Sequence, residues 1–236
     1  MTGSPVWLDS PLERVVVALD TDDLDQFEEW CALFGPRVGM LTVGLQAFVR
    51  WGDAGVEHAT AHGRVFLDLK LHDIPATVAG AVDSAARLGV SWLTVHASGG
   101  PAMLEAAVDA AAGRVQILAV TVLTSLDEAA ADLLGWPGSL ADRVSRWAGL
   151  AAEAGCAGAV TSPHEIARLR SELAADFLLV VPGIRPAGSD AGDQRRIATP
   201  AQALKDGADA LVIGRPLTRA ADPERALEAL ARELAG

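Results

Sequence analysis

The strongest constraint on the fold is a repeat of short apolar segments separated by Ala- and Leu-rich stretches. Eight such segments occur, at residues 14–20, 38–44, 64–70, 90–96, 115–121, 156–161, 177–182 and 209–214. Most are almost continuously apolar and rich in β-branched residues, which is typical of parallel strands buried on both faces. The stretches between them, such as 76–88 and 101–112, carry apolar residues at helical spacing. The pattern therefore predicts alternating strands and helices.

Eight strand–helix units within 236 residues predict an α/β protein, a single-domain (β/α)8 TIM barrel spanning residues 1–236. An open, doubly wound sheet is the alternative. That fold commonly carries a Gly-rich turn after its first strand, but residues 19–23 here read Leu-Asp-Thr-Asp-Asp. The barrel is therefore favoured.

Charge and cysteine content limit the partners and the compartment. Nineteen basic residues stand against 31 acidic ones, for a net charge of -12, which argues against binding to nucleic acid or an anionic membrane. No apolar run is long enough to span a bilayer, and residues 1–12 lack the apolar core of a signal peptide. The two cysteines, Cys31 and Cys156, are far apart and fit a reducing compartment. We expect a cytoplasmic protein.

Polar residues stand where the predicted strands end. In a (β/α)8 barrel the chemistry lies at the C-terminal ends of the strands, and phosphate often binds after strands seven and eight. The polar residues at these positions are Asp20, Asp68, Lys70, Asp73, His96, Thr124, Arg185 and Arg215. A charged side chain that ends an apolar strand has no evident structural role there. These residues are therefore candidates for a functional site.

Residues 68–75 are the most informative stretch. Asp68 and Lys70 are two apart on a strand, so their side chains point to the same face. Buried charges are costly unless they are paired. The chain has only two lysines, Lys70 and Lys205, and an ammonium group can release a proton far more readily than a guanidinium. We interpret Asp68 and Lys70 as catalytic; a structural ion pair is the alternative.

The segment Asp-Leu-Lys-Leu-His-Asp-Ile-Pro at residues 68–75 resembles the signature of the orotidine 5'-phosphate decarboxylase family. The resemblance continues in the family's order through residues 15–20, 95–100, 119–125, 182–186, 192–196 and 213–216, and covers about residues 14–220. Hexulose-phosphate synthases and ketogulonate-phosphate decarboxylases share only the sparser Asp-x-Lys-x-x-Asp core. The resemblance implies decarboxylation of orotidine 5'-monophosphate to uridine 5'-monophosphate in pyrimidine biosynthesis, with no cofactor and no metal.

The same resemblance implies roles for individual residues. Lys70 would stabilise the charge on C6 and deliver a proton, and Asp68 would lie beside the substrate carboxylate. Asp73 would enter the active site of the other subunit, which makes the protein a homodimer with composite active sites. The implied substrate-binding residues are Asp20, Thr42, Thr77, Thr124, Arg185, Gln194, Gly214 and Arg215.

Strand two departs from the family's pattern at two positions. Thr42 stands where the family has a lysine that contacts the ribose, and Gln46 stands where it has a glutamate. Without that lysine, Asp20 and Asp68 lose a cationic neighbour, and their carboxylates should be harder to keep ionised. The chain was altered here, or an arginine such as Arg50 compensates, or activity is reduced. A nucleotide-binding paralog with impaired catalysis and a related sugar-phosphate barrel enzyme are the alternative functions.

Overall fold

A computed structural model describes residues 11–186 and 197–235, and its strands form a closed parallel barrel. The strands pair in sequence order, and β8 pairs with β1 to complete the ring. They are β1 (Val15–Ala18), β2 (Met40–Gly44), β3 (Val65–Leu71), β4 (Trp92–His96), β5 (Gln116–Val120), β6 (Gly158–Val160), β7 (Leu178–Val181) and β8 (Ala210–Ile213). The predicted (β/α)8 barrel is confirmed, and its closure excludes the open doubly wound sheet.

Helices follow the strands around the outside of the barrel. They are α1 (Leu24–Phe34), α2 (Leu45–His62), α3 (Pro75–Arg87), α4 (Pro101–Ala111), α5 (Glu128–Leu133), α6 (Leu140–Glu153), α7 (Ile166–Glu172), α8 (Pro200–Asp206), α9 (Arg215–Thr218) and α10 (Pro223–Ala235). The ends of the observed strands differ from the predicted segments by at most two residues. Within the described ranges, no helix combines the length and the apolar character needed to cross a bilayer.

Two apolar clusters stabilise the barrel. The larger cluster lies between the strands and the surrounding helices, and the smaller fills the barrel interior. In the interior, Phe66 packs edge-on against Trp92 with ring centroids 5.6 Å apart. The Trp92 indole is fully buried and donates a hydrogen bond to Oε1 of Gln116 at 2.7 Å. This interior packing fills the barrel below the strand ends where the polar residues were predicted.

Candidate active site

A cavity of about 450 Å³ lies at the C-terminal ends of the strands, a volume suited to a small ligand. Eight of the eleven predicted site residues line it: Asp20, Thr42, Asp68, Lys70, Thr124, Arg185, Gly214 and Arg215. Asp73 and Thr77 are exposed and do not line it, and Gln194 lies outside the described residues. The structure therefore brings most of the predicted residues together.

Asp68 and Lys70 form an ion pair in the wall of the cavity. The Lys70 ammonium nitrogen lies 2.6 Å from Oδ2 of Asp68, and both side chains remain partly accessible, at 29% and 23%. The second carboxylate oxygen, Oδ1, accepts a hydrogen bond from the Thr94 hydroxyl at 2.8 Å. Pairing lowers the cost of holding two charges away from water.

The Asp68–Lys70 pair lies in a β-bulge of strand β3. Leu67 is aligned with Leu93 on β4, but Leu71 is aligned with Val95, so two additional residues of β3 are accommodated between the two alignments. Lys70 lies in this bulge with φ of 51°, in the left-handed region that non-glycine residues rarely adopt. Such a conformation costs about 1–3 kcal/mol and persists only where surrounding contacts enforce it. The strain is located at the residue predicted to be catalytic.

Asp20 lies close to a glycine of the neighbouring strand. A Cβ atom added to Gly44 would lie 2.8 Å from Oδ1 of Asp20, so the carboxylate needs the space that glycine leaves. Gly44 is aligned with Asp68 on its other side. Partial burial in the cavity and then the charge of Asp68 raise the pKa of Asp20, while the charges of Lys70 and Arg215 oppose the rise.

Thr42 lies inside the barrel, on the strand that carries Gly44. It is 3% exposed, and its hydroxyl has no hydrogen-bond partner in the part of the chain that the structure describes. Arg50 is exposed on α2 and does not line the cavity of its own chain, so nothing in this chain's cavity replaces the family's lysine through Arg50. Among the residues that the structure describes, Lys70 and Arg215 are the cations whose charges lower the pKa of Asp20.

Two arginines supply positive charge on the far side of the cavity. Arg185 follows β7 and is buried, with Nη1 donating to the carbonyl of Ile184 at 3.0 Å. Arg215 follows β8 and opens helix α9 directly after Gly214. Guanidinium groups suit a phosphate dianion because several N–H donors point the same way. In an eight-stranded ring, the ends of β7 and β8 lie across the barrel from the Asp68–Lys70 pair on β3.

Two histidines flank Lys70. The His96 ring, at the end of β4, lies with its centroid 5.5 Å from that of His72. Burial lowers the pKa of His96, and the nearby charges of His72 and Lys70 lower it further, against the opposing effect of Asp68. The lowered pKa favours the neutral form of the His96 ring near pH 7.

Sequence reasoning missed several residues of the site. The apolar wall is formed by inward-facing strand residues, among them Ala18, Phe66, Val120, Val160 and Val212. These look like any other core residue in a sequence, and only their period-two placement near strand ends could have indicated them. Thr94 was missed because its contacts with Asp68 and Lys70 depend on the register between β3 and β4.

The closed barrel, the Asp68–Lys70 pair and the two arginines define a (β/α)8-barrel protein with a charged ligand cavity at its mouth. Comparison with known proteins narrows this class. The chain belongs to the orotidine 5'-phosphate decarboxylase / HUMPS family, whose family model matches residues 13–230.

Individual relatives agree with this assignment. The chain is 53% identical over 222 residues to a Thermobifida fusca protein named orotidine 5'-phosphate decarboxylase, covering 93% of this chain and 95% of the relative. A relative of the same name from Anaeromyxobacter sp. strain K is 52% identical, with 95% and 99% covered. The crystal structure of orotidine 5'-phosphate decarboxylase from Lactobacillus acidophilus superposes with a TM-score of 0.82 at 35% identity, covering 94% of this chain and 99% of that one.

Proposed function

We propose that this protein is an orotidine 5'-phosphate decarboxylase, which converts orotidine 5'-monophosphate to uridine 5'-monophosphate in pyrimidine biosynthesis. The observation that carries the proposal is the arrangement of Asp68 and Lys70 on one side of the cavity and Arg185 and Arg215 on the other. This separation suits a ligand with a reactive ring at one end and a phosphate at the other. Relatives about 50% identical that carry this name support the assignment.

The chemistry follows from the charges. Cleavage of the bond between C6 and the carboxylate releases CO2 and leaves the electron pair on C6. With no cofactor to delocalise that pair, fixed charges must stabilise it. The Lys70 ammonium is the cation of the Asp68 pair, and it then donates its proton to C6 and recovers one from water. Asp68 lies beside the departing carboxylate, where repulsion disfavours the ground state.

The other cavity residues bind the rest of the nucleotide. Arg185, Arg215 and the backbone N–H of Gly214 bind the phosphate, and Gln194 completes this group. Asp20 and Thr42 contact the ribose, and Thr124 lies at the base. All of these residues except Gln194, which lies outside the described ranges, line one cavity.

We also infer a homodimer with composite active sites. Asp73 is exposed outside its own cavity, where its Oδ1 accepts a hydrogen bond from the N–H of Ile74 at 2.6 Å. Ile74 is 67% exposed, and Leu45 and Val49 in the first turns of α2, which follows the neighbouring strand β2, are 53% and 82% exposed. Exposed apolar side chains at one edge suit a subunit contact. Asp73 and Thr77 then reach the partner's cavity.

Compartment and domain organisation are part of the same proposal. Cys31 and Cys156 are both buried and unpaired, and burial raises the pKa of each thiol to about 12. Such thiols are chemically inert and do not need an oxidising compartment. We propose a cytoplasmic enzyme whose 236 residues form one barrel domain.

The direct test follows the loss of orotidine 5'-monophosphate absorbance with the purified protein. We expect turnover without added metal or cofactor, and none with Lys70→Ala. A protein that binds uridine 5'-monophosphate but does not consume the substrate would be the nucleotide-binding paralog instead. Turnover of a hexulose phosphate alone would indicate the sugar-phosphate enzyme. Both alternatives are disfavoured by the identity to relatives named as decarboxylases.

A further inference from the structure

We propose that Thr94 is a positioning residue for the reaction, which sets both the backbone of Lys70 and the carboxylate of Asp68. The inference rests on the proposed function, because it assigns Thr94 a role in the same site. Thr94 is fully buried on β4 and is not part of the cavity wall. It therefore acts through its neighbours and not on the substrate.

The Thr94 hydroxyl accepts one hydrogen bond and donates another. Its oxygen accepts from the backbone N–H of Lys70 at 2.8 Å, and its proton is donated to Oδ1 of Asp68, also at 2.8 Å. A hydroxyl has one proton to donate, so these two bonds together determine its orientation. No apolar residue of the same shape could replace both.

The first bond satisfies the backbone of a bulged residue. Between the Leu67–Leu93 and Leu71–Val95 alignments the regular pairing of β3 with β4 is interrupted. A buried N–H in such a gap needs another acceptor. Thr94 provides it for Lys70, the residue with φ of 51°. The bond thereby helps to hold the left-handed backbone from which the lysine side chain starts.

Because of the second bond, the two oxygens of the Asp68 carboxylate have different partners. Oδ1 is engaged by Thr94, and Oδ2 lies 2.6 Å from the Lys70 ammonium nitrogen. With one oxygen anchored in the barrel wall, the carboxylate cannot rotate away from the lysine. Thr94 thus controls the position of the Lys70 ammonium group in two ways. One bond holds the backbone of Lys70, and the other holds the Asp68 carboxylate that pairs with the ammonium group.

Thr94→Val tests this role, because valine keeps the shape and removes the hydroxyl. We expect kcat for orotidine 5'-monophosphate to fall by about 10- to 100-fold, since small displacements of reacting groups are costly, while KM changes by less than about 3-fold. Thr94→Ser keeps the hydroxyl and should retain most of the activity. A general loss of stability would not separate kcat from KM in this way, nor be restored by serine.

Thr121→Val is the matched control. Thr121 is a buried threonine at the end of the next strand, where its hydroxyl donates to the carbonyl of Val160 at 3.0 Å. It does not line the cavity, so kcat should stay within about 2-fold of wild type. If Thr94→Val does not fold, Thr94→Ala removes the same hydroxyl without a branched side chain. An unchanged kcat in a folded Thr94→Val or Thr94→Ala, or a serine variant no better than valine, would overturn the inference.

A second readout does not depend on turnover. Lys70 and Lys205 are the chain's two lysines, and Lys205 is exposed on α8, far along the chain from the bulge. Brief acetylation at fixed pH, read by mass spectrometry, reports the reactivity of Lys70 relative to Lys205. A loosened ion pair should raise this ratio several-fold in Thr94→Val and leave it unchanged in Thr121→Val.

The two readouts separate the two proposals. If the wild-type protein does not decarboxylate orotidine 5'-monophosphate, the proposed function fails, and the labelling ratio alone decides whether Thr94 positions Lys70. If wild type is active, a labelling ratio that Thr94→Val leaves unchanged overturns the positioning role while the proposed function stands.

Discussion

The carboxylate of Asp68 acts on that of Asp20 across Gly44, whose lack of a side chain leaves room for the Asp20 carboxylate between strands β1 and β3. The charge of Asp68 adds to burial in raising the pKa of Asp20. One cation, Lys70, lies in direct contact with Asp68, and Thr42 places no charge beside either carboxylate. The β1–β3 side of the cavity therefore carries two carboxylates against one ammonium group, while the arginines follow β7 and β8 on the other side.

Thr42→Lys should relieve this imbalance. An ammonium group at this inward-facing position would lower the pKa of Asp20, because an opposite charge favours the ionised form. We expect kcat/KM for orotidine 5'-monophosphate to rise. Thr42→Met, similar in length but uncharged, is the control. Equal gains from methionine and lysine would show that side-chain volume, and not charge, is what the wild-type site lacks.

Asp20→Asn should stabilise the fold at neutral pH. The pKa of Asp20 is raised above its ordinary value of 3.8, chiefly by burial, so the folded state prefers the protonated form. That preference favours folding below about pH 4 and is lost as the pH rises through the raised pKa. The variant's gain in unfolding free energy should thus be present at pH 7 and shrink towards pH 4. Because Asp20 keeps contact with solvent, the gain should be small.

Urea denaturation at the two pH values measures this gain, with Asp22→Asn on the same connection as the control. A gain that does not depend on pH would contradict the electrostatic explanation. The substitution should lower activity at the same time if Asp20 contacts the ribose.

Lys70→Ala should lower kcat by about 1,000-fold or more, because the ammonium both stabilises developing charge and donates a proton. Binding of uridine 5'-monophosphate should remain within about 10-fold, since the interaction is strongest in the transition state. Calorimetry and the absorbance assay measure the two effects. Lys205→Ala removes the chain's other lysine and should leave turnover unchanged. Near-normal turnover by Lys70→Ala would rule out the mechanism.

Arg215→Ala should weaken binding of the phosphorylated substrate by about 2 kcal/mol or more, the cost of removing one partner of a charge pair covered by a ligand. The unphosphorylated nucleoside should lose far less. Comparing inhibition by uridine 5'-monophosphate and by uridine measures the difference. Equal losses for the two ligands would place the phosphate elsewhere.

Mixing Lys70→Ala with Asp73→Ala tests the composite active site. In a mixed dimer one site combines an intact Lys70 with an intact Asp73, and the other carries both defects. Co-refolding should restore up to roughly a quarter of wild-type activity, because about half the dimers are mixed and each has one intact site. Heterodimers that form without any recovery would show that Asp73 serves its own barrel.

Local features of the sequence were enough to predict most of this molecule. Apolar periodicity located the strands, and charged residues at strand ends located Asp68, Lys70 and Arg215 in one cavity. The left-handed backbone of Lys70 was not predictable, since it arises from a bulge whose existence depends on pairing with another strand. The placement of Arg50 outside its own chain's cavity was not predictable for the same kind of reason, because nearness in sequence does not say which helix face a residue occupies.

The packed barrel interior has a consequence for ligand traffic. Phe66, Trp92 and their neighbours fill the barrel beneath the cavity, so the described part of the structure offers no exit at that end. Substrate, carbon dioxide and product must therefore all pass through the opening of the cavity at the C-terminal ends of the strands. The nucleotide product must vacate the cavity before the next substrate enters, and it should therefore act as a competitive inhibitor of its own formation.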